Sequence, residues 1–163
     1  MGQKTIVRAE EGQQELLITR EFDLPLELLF KAYVEPELVA QWMGTNVLKL
    51  DSRKHGSYLF ETADAQGNIV FRGSGVIHEF VPNLTIVRTF EMESMPDSAF
   101  RFAAQLEFLE FEKRSDTTSK LTMQVVYKSV ALRDQQLRLP FAQGINMAHN
   151  RLQHVLSQVN GTR

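Results

Sequence analysis

The sequence predicts an α+β fold: a first strand, two short helices, six further antiparallel strands and one long C-terminal helix, about seven strands in all. Three observations carry that reading. The stretch PELVAQWMG places apolar residues at helical spacing between a proline and a glycine. From Asn46 to Lys128 apolar residues alternate with polar ones and are interrupted by short turn-forming clusters. From Phe141 to Val159 the apolar residues keep to one helical stripe.

Taken in order, residues 1–13 are polar and aperiodic and read as a loose arm, leaving 14–160 as one domain. ELLITREF, Glu15 to Phe22, is rich in β-branched and apolar residues and reads as a strand. Asp23-Leu-Pro25 then opens a helix, the aspartate as a cap and the proline in the first turn. Leu28, Leu29, Ala32 and Tyr33 share its inner face. It ends at Glu35, because a residue preceding proline disfavours helical geometry.

Pro36 starts the second helix, with Glu37 where the helix dipole favours a negative charge. Leu38, Val39, Trp42 and Met43 fall on one face, and Gly44 supplies a left-handed stop. So short a helix is marginal alone and must dock on a larger surface.

Strands are expected near 46–52, 56–64, 68–80, 84–93, 99–113 and 119–128. The turns between them are His55-Gly56, Asp64-Ala-Gln-Gly67, Pro82-Asn83, Met95-Pro-Asp97 and Arg114-Ser-Asp-Thr117. Turns this short imply an antiparallel meander. In the fifth segment the apolar phase shifts from Phe100, Phe102, Leu106 and Phe108 to Leu109 and Phe111, the mark of a bulge that bends the strand. A short helical turn at 132–138 precedes a helix beginning at Pro140.

The bulk composition narrows the function classes. Net charge is −2 with both signs interspersed, so the basic stripe of a nucleic-acid binder is missing. The absence of cysteine excludes disulfides and thiolate chemistry. The N-terminal residues lack the apolar core of a signal peptide, and no apolar run reaches membrane-spanning length, so a cytoplasmic protein with no membrane insertion is expected. His55, His78, His149 and His154 do not combine with acids at metal-ligand spacing, and no metal or cofactor is expected. Gly73-Ser-Gly75 lacks the third glycine of a dinucleotide loop.

The order of elements resembles the helix-grip fold of the START lipid-transfer and birch-pollen-allergen superfamily. More closely, it is similar to the bacterial proteins named after the activator of the heat-shock chaperone ATPase. The residues that match are Asp23-Leu-Pro25, Pro36-Glu-Leu38 with Trp42 and Gly44, His55-Gly56-Ser-Tyr58, Asp64-Ala-Gln-Gly67, Gly75-Val-Ile-His-Glu79 with Val81-Pro82, and Phe141-Ala-Gln-Gly144. The resemblance spans about residues 14–158. It departs from the family's common pattern at Met43-Gly44, where a second aromatic and a proline are frequent, and at Ile145, where tryptophan is.

The resemblance implies that the sheet wraps around the long helix and leaves a cavity for an apolar or amphipathic small molecule. Its candidate lining is Trp42, Tyr58, Phe60, Phe71, Ile77, Met123, Val125, Phe141, Ile145 and Met147. Each also reads as ordinary core. Trp42 reads first as the core anchor of its helix, and a one-residue register choice decides which face Tyr58 and Phe60 take. Gly73 and Gly75, on the face of Phe71 and Ile77, leave space for a ligand or let backbones approach. The family's name implies a chaperone partner instead, as monomer or homodimer. A cyclase- or dehydratase-type enzyme would need a polar pair in the cavity, such as His78 or Glu61 with Arg88.

Overall fold

The computed structural model describes residues 3–94 and 103–161. Eight strands, β1 (Ile6–Arg8), β2 (Glu15–Phe22), β3 (Asn46–Leu50), β4 (Ser57–Ala63), β5 (Ile69–Val81), β6 (Thr85–Ser94), β7 (Gln105–Lys113) and β8 (Ser119–Val126), form one antiparallel sheet in the order β1-β2-β8-β7-β6-β5-β4-β3. Helices α1 (Leu26–Val34) and α2 (Pro36–Met43) follow β2, and α3 (Val130–Arg138) and α4 (Phe141–Gly161) follow β8. The expected turn at Met95-Pro-Asp97, with Phe100 and Phe102, lies outside the described residues.

β2 alternates strictly, with Leu16, Ile18, Arg20 and Phe22 turned inward, and its register sets Ile18 opposite Met123 and Leu16 opposite Val125. β8 answers with Ser119, Leu121, Met123 and Val125 on the same face. Burying each large apolar side chain of these rows contributes roughly 1.5–3 kcal/mol, so the paired rows form the centre of the core. The eighth strand is β1, formed within the segment expected to be a loose arm. Ile6 pairs with Thr19 and Arg8 with Leu17.

α1 buries Leu28, Leu29, Phe30, Ala32 and Tyr33. The expected aspartate cap is replaced by Pro25, which makes no side-chain cap bond; the Asp23 backbone N–H donates instead to Gln153 of α4. α2 ends as its sequence requires, at Gly44 with φ of 65°. Its tryptophan closes a gap that proline opens. The Ala32 carbonyl would accept a helical bond from residue 36, but Pro36 has no N–H. Trp42 Nε1 donates to that carbonyl at 2.7 Å.

The bulge expected in β7 is not there. β7 pairs without register shift on both sides, with Glu107, Leu109 and Phe111 inward and Leu106 and Phe108 on the opposite face. An acidic residue occupying an inward position had made the inner row read as polar. Irregularities occur instead between Val47 and Lys49, between Thr62 and Ala63, and between Ile77 and Glu79, which bend the β3–β6 half of the sheet.

The glycines of β5 serve close approach. Gly75 stands opposite Tyr58 and Gly73 opposite Phe60. A Cβ on Gly75 would lie 2.6 Å from the Tyr58 hydroxyl and would overlap the Thr89 carbonyl oxygen. Tyr58 donates its hydroxyl to that same carbonyl.

Candidate functional site

Between the inner face of the sheet and the helices lies a cavity of about 250 Å³. It sits just below the ~300–1,000 Å³ usual for small-molecule sites. Ile18, Phe60, Phe90, Met92, Met123 and Val125 supply the apolar sheet side. Tyr33, Trp42 and Met43 close it from α1 and α2, and Phe141, Ile145 and Ala148 from α4. Its polar members are Arg88, Gln105, Glu107, Gln136 and His149.

β6 and β7 place the charged pair. Their register sets Arg88 opposite Glu107 and Phe90 opposite Gln105. Arg88 Nε donates to Glu107 Oε1 at 2.8 Å, and Gln105 Nε2 donates to Glu107 Oε2 at 2.8 Å. The side chains of the pair are 15% and 5% exposed. Burial is the largest single influence and pushes the guanidinium toward neutrality, but the charge and hydrogen bond of Glu107, together with Tyr58 and Tyr33, hold Arg88 above its ordinary value, fully charged. The cation lies between two rings, 5.6 Å from the Tyr58 centroid and 5.9 Å from that of Tyr33. Burial pushes both phenols well above their usual value, so both are neutral.

His149 is fully buried on α4. Thr5, just before β1, accepts from Arg20 Nη1 at 3.3 Å and bonds His149 Nδ1 at 2.7 Å. Nε2 is buried without a partner among the described residues. Burial first, and the charge of Arg20 second, lower the His149 pKa to about 3, so the imidazole is neutral.

Of the lining expected from sequence, Trp42, Phe60, Met123, Val125, Phe141 and Ile145 stand on the cavity wall. Tyr58 is buried behind it, stacked parallel to Phe90 at 6.5 Å. Ile77 is core and off the wall. Phe71 is 42% exposed: β5 outreaches the shorter β4, and Phe71 sits opposite Thr62 near its end. Met147 is 55% exposed, because two residues beyond Ile145 is about 200° around a helix. Trp42 combines both of its readings, wall and anchor.

The polar constellation expected for an enzyme is not assembled. His78 is exposed on the β5 irregularity, and Glu61 pairs with Arg72 at 2.6 Å. Sequence reasoning gave Glu107, Gln105 and His149 no place in the cavity and left Phe90 and Met92 out of its apolar wall. The available signal was parity: Ile86-x-Arg88-x-Phe90 and Glu107-x-Leu109-x-Phe111 each carry one charge of opposite sign within an apolar row. Among the described residues no group of three or more His, Asp or Glu is arranged to hold a metal ion. Nor is any described helix long and apolar enough to cross a membrane.

Residues 23–157 match the family described as "Activator of Hsp90 ATPase homolog 1-like protein". No curated protein matches the chain in sequence. Solved structures of the same fold include protein Ms6760 from Mycobacterium smegmatis, at 19% identity and a TM-score of 0.76 over 94% of this chain and 96% of that one. A protein from Rhodobacter sphaeroides gives 17% identity and a TM-score of 0.80 over 95% and 99%. One from Arthrobacter aurescens gives 12% and 0.81 over 94% and 91%. At these identities the likeness establishes the helix-grip fold and nothing finer.

Proposed function

We propose, for a chain that belongs to the Activator of Hsp90 ATPase homolog 1-like family, that it binds a hydrophobic or amphipathic small molecule between sheet and C-terminal helix and sequesters or carries it. The observation that carries this reading is the cavity itself, roofed by α4 and walled by apolar and aromatic side chains around a few polar groups. That is the composition usual for a ligand site. Apolar burial at roughly 25 cal/mol per Å² supplies the driving force, and the polar groups set orientation.

Calorimetric titration with naphthalene-2-methanol, a neutral two-ring probe, tests it. Ala148→Phe, which fills the cavity from α4, is expected to weaken binding at least tenfold. Probe binding that is unaffected by this variant would refute the reading. A chaperone partner rests on the family's description alone, and a protein that ignores the probe yet changes a chaperone's ATPase rate would replace the cavity reading with that one.

A further inference from the structure

The charged pair in the cavity is made in an unusual way. Arginine and a carboxylate that meet only to stabilise a fold commonly join fork to fork, through two parallel N–H···O bonds. Here Glu107 takes a single bond, from Nε. Its other oxygen is given to Gln105. Guanidinium carries five N–H donors, so four remain on the two Nη atoms. Among the described residues neither Nη makes a hydrogen bond, although the side chain is 15% exposed and flanked by two tyrosine rings. Neither Nη is among the fully buried unpaired polar atoms, so this edge of the guanidinium is open to a molecule the size of water and free to take an acceptor. It belongs to a residue on the cavity wall.

From this, and resting on the cavity being a ligand site, we infer that it takes a compact hydrophobic carboxylate, held by the Nη edge of Arg88. A planar carboxylate matches the two-pronged spacing of that edge. Glu107 already accepts from Arg88 and Gln105 and has its counter-charge in Arg88, so a cationic head would meet the arginine's charge. A phosphate dianion would bring two charges to a cation that already has a counter-ion. His149 and Tyr33, also on the wall, are neutral and add no competing charge. Phe60, Phe90, Met92 and Ile145 receive the apolar body. At about 250 Å³ the space suits one or two rings better than a long acyl chain.

The test compares 2-naphthoate with naphthalene-2-methanol and 2-naphthyl phosphate by calorimetry. Wild type is expected to bind the carboxylate at least tenfold more tightly than the alcohol, and the phosphate no better than the alcohol. Glu107→Gln, which keeps shape but removes the counter-charge, is expected to raise the acid-to-alcohol ratio about tenfold further. Replacing both partners, Arg88→Leu with Glu107→Leu, removes the pair without stranding a charge and is expected to bring that ratio to about one. Equal binding of acid and alcohol by wild type, or an acid preference surviving in the double variant, would overturn the inference while leaving the cavity reading intact. If neither compound binds, the cavity reading fails and the inference falls with it.

Discussion

Gly75→Ala is the sharpest structural prediction, because the damage is dictated by backbone. The added Cβ would overlap the Thr89 carbonyl oxygen on β6 and sit 2.6 Å from the Tyr58 hydroxyl. No side-chain rotation relieves the first contact, so β5 and β6 must part. Overpacking of this kind costs about 1–3 kcal/mol. Parting the strands also breaks the Tyr58 hydroxyl bond to Thr89, stranding a buried donor for about another 1–3 kcal/mol. The expected loss is therefore about 2–6 kcal/mol, a large share of the ~5–15 kcal/mol that stabilises a typical domain. At ~2–4 °C per kcal/mol for a chain of this size, Tm should fall by about 4–24 °C. Gly73→Ala is the control. Its Cβ meets only the edge of the Phe90 ring, at 2.9 and 3.1 Å, and a ring can tilt. A cost of about 1 kcal/mol is expected there. Urea unfolding followed by Trp42 fluorescence measures both. A Gly75→Ala protein within 1 kcal/mol of wild type, or no less stable than Gly73→Ala, would show that the reasoning from backbone contact is wrong.

Two further outcomes follow from buried polar groups. The His149 pKa is about 3 in the folded protein against 6.5 when exposed, so below about pH 6.5 the unfolded chain binds the proton first. Stability is full above that pH and falls at up to ~1.4 kcal/mol per unit toward pH 3; between pH 7 and 4.5 wild type should lose about 2–3 kcal/mol more than His149→Gln, and parallel curves would contradict the assignment. Trp42→Phe strands the Ala32 carbonyl that Pro36 cannot serve and should cost about 1–3 kcal/mol in urea unfolding; an unchanged midpoint would mean that this carbonyl finds another donor.

Helices and turns were legible wherever one residue type forces the backbone. Pro36 and Gly44 bracket α2 as expected, and Asp64 and Asn83 mark turns between strands. The apolar stripe of α4 likewise survives intact at Leu152 and Leu156. Legibility failed where a polar residue takes an apolar position. Glu107 in the inner row of β7 made Leu106 and Phe108 pass for the core face, which created a bulge where the ladder is regular. His149, read from sequence only as one of four histidines without metal-ligand spacing, is fully buried on α4. Its partner Thr5 is 144 residues away, a pairing that no local pattern encodes. The cavity was half legible for the same reason: its apolar wall follows from period, whereas its charged floor follows from strand register.

The central pairing of β2 with β8 also sets the order in which the molecule can assemble. Ser119 bonds the Leu24 carbonyl across 95 residues, and Gln124 reaches Glu15 across 109. Strands β3 to β7 pair with near neighbours in the chain, each hairpin closing a small loop, while β2 must wait for almost the far end. At ~5–20 residues per second, synthesis leaves Leu16, Ile18 and Phe22 without their β8 partners for about 5–20 s. Closing so long a loop places the step late and makes it slow, as high contact order does in general. A nascent chain therefore carries one finished apolar strand face in search of a partner that has not yet been made.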